Sequence, residues 1–224
     1  MNTRPLRLIS LLFLVAGLTA CGESEPPWRG HDITGVMPEL DYNLVDENSE
    51  PVSAGAYADN IRLLFFGFTH CPDICPVTLG RLKAAIATLE PAQRERIRVL
   101  FVSVDPERDP PAVLRRYTDN FGERFIGLTG SQAQLRELTK RYRVTYGYGE
   151  KDKNGFYPVS HSSAVFVFDR QGNARLLFNQ SLTVTDIAAD LERLIDAGAT
   201  VETRAKGRKA VAQAATGAGT ANYP

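Results

Sequence analysis

The sequence predicts an α/β domain built on a central, mostly parallel sheet with helices on both faces. Two near-continuous apolar runs, Ile61 to Phe68 and Ile97 to Val104, are typical of strands that are buried on both faces. Segments with apolar residues at helical spacing alternate with these strands, and this alternation favours parallel pairing through right-handed crossovers. The 224 residues carry a formal net charge of zero, which argues against a nucleic-acid partner because such a partner calls for a basic surface.

The predicted elements follow in a regular order. Tyr42 to Val45 and the segment near Val52 predict an N-terminal hairpin around residues 46–48. After the strand that begins at Ile61, the pattern predicts a helix over 77–89, a strand over 97–104, a helix over 112–121, a short strand over 125–128, a helix over 132–142, strands over 163–168 and 174–178, and a closing helix over 184–195. A Gly-containing turn joins the last two strands, which add an antiparallel edge.

The first 20 residues have the pattern of a bacterial lipoprotein signal peptide. Arg4 and Arg7 precede an apolar run from Leu8 to Ala20, which is short for a membrane-spanning helix. The run ends in small residues before Cys21, and this sequence resembles a lipobox, in which cleavage leaves the cysteine as a lipid-modified N-terminus. A plain secretory signal followed by a chance cysteine is the alternative.

These features divide the chain into four segments. We expect a signal peptide over 1–20, a tether over 21–37, a folded domain over 38–197 and a flexible low-complexity tail over 198–224. The tether contains Pro26, Pro27 and Gly30 and shows no periodicity, and the tail is rich in Ala, Gly and Thr. The signal pattern places the domain outside the cytoplasm.

Cys71 and Cys75 are then the only cysteines of the predicted domain, and a proline follows each of them. A pair this close is typical of disulfide exchange or of holding a soft metal ion, and two buried structural thiols are a third possibility. Pro76 predicts that a helix begins beside Cys75, which would place both sulfurs near the positive end of a helix dipole, where thiolates are favoured. The three intervening residues weigh mildly against redox exchange, which usually uses two.

His161 is the candidate third ligand. A dithiol directly after the first buried strand is the thioredoxin-like arrangement, in which the loop that leads into the strand over 163–168 faces the dithiol turn. His161 lies on this loop, and Cu(I) accepts two thiolates plus one imidazole. His31 lies in the tether, and His70 is expected to point away from the face that the cysteines share.

Asp105 and Asp109 follow the second buried strand, at the sheet edge where functional residues gather in open α/β folds. Two prolines follow Asp109, a pattern that predicts a helix N-cap. Both aspartates are candidates for supporting the site or contacting a partner. Neither is expected to bind copper directly, because hard carboxylates suit Cu(I) poorly.

Together these motifs resemble the Sco family, the SCO/SenC-type copper metallochaperones that assemble cytochrome c oxidase. The residues that carry the resemblance are the run from Gly67 to Pro76, the run from Val102 to Asp109, and His161-Ser162 before a strand that ends in Asp-Arg-Gln-Gly. The similarity covers roughly Leu40 to Ile195. Any one motif alone would be weak, whereas the combination is specific.

The resemblance implies a thioredoxin-like domain that is lipid-anchored to a membrane of the bacterial cell envelope and faces the periplasm. It implies that Cys71, Cys75 and His161 bind about one copper ion per chain, as Cu(I) with Cu(II) left open. It also implies delivery to the copper-receiving subunit of cytochrome c oxidase, with a periplasmic copper carrier or thiol reductant as a further partner. Many relatives have Asp before the histidine, whereas this chain has Ser160, which puts a supporting carboxylate there in doubt.

The main alternative is a thiol–disulfide oxidoreductase that uses Cys71 and Cys75 to reduce the copper-site cysteines of the oxidase. A reductase has no need of His161 as a ligand, whereas trigonal copper does. A carrier would not be an enzyme. A peroxidase of the same general fold is disfavoured, because the Pro-x-x-x-Thr-x-x-Cys arrangement is missing. A purely structural binding module would keep the fold and tolerate loss of both thiols.

Overall fold

The computed structural model describes residues 26–153 and 156–198, so Cys21, the predicted signal peptide and residues 199–224 of the predicted tail lie outside it. Its strands are β1 His31–Asp32, β2 Asn43–Asp46, β3 Pro51–Ser53, β4 Ile61–Gly67, β5 Ile97–Ser103, β6 Phe125–Thr129, β7 Tyr146–Tyr148, β8 Val159–His161, β9 Val165–Phe168 and β10 Ala174–Phe178. Its helices are α1 Ile74–Thr88, α2 Pro91–Arg94, α3 Pro111–Thr118, α4 Gln132–Arg141 and α5 at 184–198, with a 3-10 turn at Ala54–Tyr57. Within these residues, no helix has the length and apolar character needed to cross a bilayer.

One mixed sheet organises the described residues, with the strand order β1-β10-β9-β4-β5-β6-β2-β3. Its centre is parallel: β4 pairs with β5 from Ile61 opposite Ile97 to Gly67 opposite Ser103, and β5 pairs with β6 in the same sense. β2 with β3 and β9 with β10 pair antiparallel because short turns join them, and a short turn can only reverse the chain. The pairs β1–β10, β2–β6 and β4–β9 are antiparallel as well. The predicted thioredoxin-like α/β class, including the N-terminal hairpin, is confirmed.

Helices cover both faces of the sheet, as predicted. Side chains of β4 alternate between two cores: Leu63 and Phe65 pack with α1, α3 and α5, whereas Leu64 and Phe66 pack with α4 and the N-terminal hairpin. This alternation follows from strand geometry, and an apolar residue at every position is what a strand with two covered faces requires. The carboxyl end of β4 therefore lies between the two cores.

Helix α1 begins earlier than the sequence predicted. It starts at Ile74 with Asp73 as its N-cap, so Cys75 is the second helical residue and Pro76 the third. The N–H groups of a first helical turn have no acceptor within the helix, so a proline at the third position loses no hydrogen bond. The difference moves Cys75 from the helix boundary into the first turn.

The second half of the predicted tether packs against the domain. β1 pairs with β10, and the buried Asp190 carboxylate of α5 accepts hydrogen bonds from the N–H groups of Arg29 at 3.1 Å and Gly30 at 2.7 Å. The Arg193 guanidinium lies 3.8 Å from the centre of the Trp28 ring. These contacts extend the packed part of the chain toward the N-terminus beyond the predicted boundary at residue 38.

Candidate metal centre

Cys71 and Cys75 lie where β4 ends and the chain turns into α1. The Cys71 N–H donates to the Phe68 carbonyl at 3.2 Å and closes a tight turn. The Cys75 N–H then lies 3.5 Å from Cys71 Sγ. Both are free thiols, and they differ in accessibility, because Cys71 is half-buried whereas Cys75 is fully buried.

Gly67, the last residue of β4, makes room for the buried sulfur. A Cβ atom at this position would lie 2.6 Å from Cys75 Sγ and 2.6 Å from the Phe101 ring. Both separations are far below van der Waals contact, so a larger residue would displace the sulfur, the ring or the start of α1. In the sequence, Gly67 was noted only as the first residue of the motif from Gly67 to Pro76. A glycine inside an apolar strand is a signal of close approach that could have identified it.

His161 approaches the thiols from β8, which pairs with β7 in a two-stranded ribbon outside the main sheet. Its Nε2 lies 3.4 Å from Cys75 Sγ, and its ring packs edge-on against Phe68 and Phe65 at centroid distances of 5.6 and 6.1 Å. Its Nδ1 lies 2.9 Å from the Ser162 carbonyl oxygen. Because a carbonyl oxygen only accepts, this contact places the proton on Nδ1 and leaves the Nε2 lone pair facing the sulfurs.

The fold brings the three predicted ligands together. Ligand atoms of Cys71, Cys75 and His161 all lie within 4.8 Å of one another. Three ligands bonded at about 2.3 Å to a central ion lie about 4 Å apart, so the cluster needs only a small contraction to hold one ion. Two sulfurs and an imidazole form a soft donor set, which suits Cu(I) better than Mg²⁺ or Ca²⁺.

Burial changes the chemistry of Cys75. Loss of hydration raises the pKa of its thiol, nearby Cys71 and Asp109 act in the same direction, and a hydrogen bond with the Phe68 backbone opposes them. The helix start was predicted to favour a thiolate at both cysteines, and at Cys75 burial acts against this and favours the neutral thiol. A bound cation would reverse this balance by replacing the proton on sulfur.

Asp109 holds the start of the cysteine turn. Its fully buried carboxylate accepts hydrogen bonds from the Thr69 N–H at 2.8 Å, the Thr69 hydroxyl at 2.5 Å and the Ser103 hydroxyl at 2.6 Å. The N-cap of α3 is Pro110, so the prediction that Asp109 caps this helix is wrong. A carboxylate removed from water needs several donors, and the cysteine turn and β5 provide them.

Asp105 is also buried and faces the ribbon that carries His161. Its Oδ1 accepts a hydrogen bond from the Tyr157 hydroxyl at 2.7 Å, and its Oδ2 accepts one from Arg108 Nε at 2.5 Å. Arg108 also donates to the Tyr157 carbonyl at 3.1 Å, and its guanidinium lies 3.8 Å from the centre of the Tyr157 ring. Burial and the bond to Asp105 raise the pKa of the Tyr157 hydroxyl, which therefore remains a donor. Sequence reasoning missed Tyr157 and Arg108.

The other two histidines lie outside the ligand group. The His70 side chain is half-exposed, and its Nδ1 lies 3.1 Å from the Thr69 hydroxyl and 3.6 Å from Asp109 Oδ1. His31 lies in β1 at an edge of the main sheet. His31 therefore serves as a control for the role of His161, whereas His70 contacts the residues that hold the cysteine turn.

The sequence of the chain is similar to one protein family and to several characterised proteins. The family described as SCO1/SenC matches residues 37–196. The mitochondrial protein SCO2 homolog of Mus musculus is 34% identical over 188 residues, which is 81% of this chain and 73% of the mouse protein. The SCO2-like protein RC0895 of Rickettsia conorii is 35% identical over 136 residues, or 59% of this chain and 64% of that protein.

Several solved structures have a fold similar to that of this chain. Bradyrhizobium japonicum ScoI with copper bound is 32% identical, with a TM-score of 0.64 over 70% of this chain and 98% of that one. Apo Sco1 of Thermus thermophilus is 36% identical, with a TM-score of 0.65 over 76% of this chain and 99% of that one. The fold and the ligand cluster thus define a thioredoxin-like domain with a site fit for one soft metal ion. The chain belongs to the SCO1/SenC family.

Proposed function

We propose that this protein is a copper carrier that delivers one copper ion to the dinuclear copper site of cytochrome c oxidase during assembly of that enzyme. The observation that supports it most is the approach of Cys71, Cys75 and His161 ligand atoms to within 4.8 Å of one another. This donor set is the one that Cu(I) prefers. Relatives from Bradyrhizobium japonicum and yeast have structures with copper bound, and they share this fold.

The unequal burial of the ligands suggests a direction for transfer. Cys75 is fully buried, so it is the ligand that an acceptor reaches last, whereas Cys71 and His161 are half-buried and border the solvent. An acceptor thiolate or imidazole would therefore enter on the side of Cys71 and replace the carrier's ligands one at a time. Asp109 supports this exchange by keeping the cysteine turn in place while the coordination changes.

A second function, reduction of the oxidase's copper-site cysteines, is supported by the same difference in accessibility. The half-buried Cys71 thiolate would attack a partner disulfide and release one partner thiolate, and Cys75 would then attack Cys71 Sγ and release the other. Cys71 and Cys75 end as a disulfide, and two electrons pass to the partner. The two protons lost by Cys71 and Cys75 go to the partner's thiolates. A thiol reductant of the periplasm would then restore the pair.

The proposed location is the bacterial cell envelope, with Cys21 lipid-modified and the domain facing the periplasm. The sequence pattern of residues 1–21 supports this location. The relatives do not support it by themselves, because some of them are named as mitochondrial. Replacement Cys21→Ser would release the protein from the membrane fraction if the anchor is correct. Retention of this variant in the membrane would contradict it.

Copper binding to the reduced protein tests the main proposal. We expect about one Cu(I) per chain by competition with a chelator, and a loss of affinity of more than about a hundredfold in Cys71→Ser and Cys75→Ser, because even supporting residues cost about 10–100-fold. His161→Ala should weaken binding clearly, whereas His31→Ala, at the sheet edge, should not. If His161→Ala bound copper normally and the protein reduced an oxidase-derived disulfide peptide efficiently, the second function would replace the first.

A further inference from the structure

We propose that Asp105, Arg108 and Tyr157 form a latch that holds the His161 imidazole at the two sulfurs and so sets the strength of the third copper ligand. The latch is defined by the hydrogen bonds of Tyr157 and Arg108 to Asp105 and of Arg108 to the Tyr157 carbonyl. This inference rests on the proposed copper-binding function, because it concerns control of the same metal site.

The ribbon that carries His161 needs such support. Among the described strands, β7 and β8 pair only with each other, so no hydrogen-bonded strand of the main sheet holds His161 in place. On its C-terminal side, His161 is held by the chain itself, which enters β9 at Val165. On its N-terminal side, the chain runs through Tyr157, where the latch begins. The latch is the anchor nearest to His161 on this side; the Tyr148 hydroxyl of β7, which donates to the Val104 carbonyl, and the packing of Val159 against the second core hold the rest of the ribbon.

The contacts of the latch are of the strong kind. Asp105 is 1% exposed and Tyr157 is 4% exposed, so their hydrogen bond is shielded from water. The bond from Arg108 joins two charged groups, and such bonds are roughly twice as strong as neutral ones. The Asp105 N–H lies 3.1 Å from the Ser103 hydroxyl oxygen, which fixes the aspartate to the end of β5. The ribbon is therefore fastened to the main sheet through side chains.

The loop between β5 and α3 connects both halves of the site. Asp109 holds Thr69, two residues before Cys71, and Asp105 holds Tyr157, four residues before His161. The Asp109 N–H donates to the Asp105 carbonyl at 3.0 Å, so the two carboxylates keep a set separation. The loop therefore anchors both the dithiol turn and the ribbon that carries the imidazole.

The consequence concerns copper release. Opening the latch would lower the local concentration of imidazole at the ion while leaving the cysteine turn in place. The ion would pass from three ligands to two, and an acceptor ligand could take the free position. We therefore expect the latch to affect copper affinity through His161 alone.

Tyr157→Phe is the sharpest test, because it removes only the hydroxyl and keeps the ring under Arg108. The matched control is Tyr146→Phe, on the same ribbon, whose hydroxyl donates to Gln132 at 3.4 Å and not to the loop. In the full-length reduced protein, we expect Tyr157→Phe to weaken Cu(I) binding about tenfold, as loss of a supporting partner does. Tyr146→Phe should change it less than about twofold. Arg108→Lys keeps the positive charge but loses the planar guanidinium that donates to both Asp105 and the Tyr157 carbonyl. It should therefore also weaken Cu(I) binding.

Each variant is then combined with His161→Ala. If the latch acts through the imidazole, Tyr157→Phe has no further effect in that background. X-ray absorption of the copper-loaded Tyr157→Phe protein should show a reduced nitrogen contribution. An equal loss of affinity with and without His161 would overturn the latch and indicate a general structural role.

The outcomes also separate this inference from the function on which it rests. Unchanged affinity in Tyr157→Phe, together with weaker binding in His161→Ala, would remove the latch and leave the copper site intact. Unchanged affinity in His161→Ala itself would refute the proposed ligand set, and the latch with it.

Discussion

Cys75 and His161 reach the same cluster through different kinds of support. The cysteine arm, by which we mean residues 67–75, follows β4, whose seven residues are all buried and which pairs with β5 and β9 on its two sides. The histidine arm, residues 157–161, belongs to a two-stranded ribbon that is fastened to the main sheet by side chains. One half of the site is therefore part of the core, and the other half depends on a few hydrogen bonds.

This difference would suit the proposed carrier, which has to hold an ion and then release it. Local openings require least free energy where backbone pairs are few and side chains are less buried. β8 fits this description better than β4, because its residues are half-buried or exposed whereas all seven residues of β4 are buried. In the proposed copper site, a ligand on the core would keep the ion bound, while a ligand on the ribbon could leave without unfolding the domain. Perturbing the cysteine arm should therefore cost stability as well as copper affinity, whereas perturbing the ribbon should change mainly copper affinity.

The largest expected effect is that of Gly67→Ala in the cysteine arm. The new Cβ would meet Cys75 Sγ and the Phe101 ring at 2.6 Å, so we expect the free energy of unfolding to fall by about 1–3 kcal/mol. Gly80→Ala is the control, because a Cβ at Gly80 meets nothing within 4 Å and alanine favours the helix by up to about 1 kcal/mol. Urea unfolding measures both. Equal stability of the two variants would show that the cysteine arm is less tightly packed than its burial indicates.

A smaller effect is expected from the titration of Cys75. Burial raises the pKa of this thiol above its ordinary 9.0, so above about pH 9 the unfolded chain loses a proton that the folded chain keeps. The contribution to stability is complete below pH 9 and is lost as pH rises, at up to about 1.4 kcal/mol per pH unit. In copper-free, reduced protein, Cys75→Ser should therefore lose about 1 kcal/mol less than wild type between pH 8 and pH 10. If the stability of wild type and of Cys75→Ser fell equally with pH, the Cys75 sulfur would be hydrated in the folded protein.

The smallest effect is expected on the histidine arm, from Ser160→Asp. Ser160 is exposed, and successive side chains of a strand point to opposite sides, so a carboxylate there would not reach the His161 ring. The ring is already oriented by the Ser162 carbonyl. Copper affinity should change less than about twofold, measured by chelator competition. A tenfold gain would show that a carboxylate at this position does support the ligand, and that the ribbon moves enough to bring it there.

Much of the cysteine arm was predictable because its signals are local. An apolar strand, two cysteines and prolines stand next to one another, and strand–helix alternation places them at the carboxyl end of β4. The start of α1 was misplaced because proline fits any position of a first helical turn, so Pro76 does not mark the boundary. His161 was predicted from the expected fold. The short ribbon around it was not, since three-residue strands leave little pattern.

The roles of the two aspartates could not be predicted in the same way. Asp109 followed by prolines has the local pattern of a helix cap, yet the fold offers its carboxylate Thr69, 40 residues away, and burial favours those donors over a cap. Arg108 lies inside the motif from Val102 to Asp109, but no local pattern marks a role for it or for Tyr157. They became recognisable once the fold placed both beside Asp105.

The sequence by itself determined the α/β fold, the thiol pair and the strand that presents it, because periodicity and neighbouring residues carry this information. Only the tertiary structure decided that His161 meets Cys75, 86 residues earlier in the chain, and that Asp109 and Asp105 bond to Thr69 and Tyr157, one in each arm. Such contacts depend on how separate elements pack, and packing favours burial and satisfied hydrogen bonds over local pattern. The same burial raises the pKa of the Cys75 thiol, although the thiol lies at a helix start that by itself would favour a thiolate.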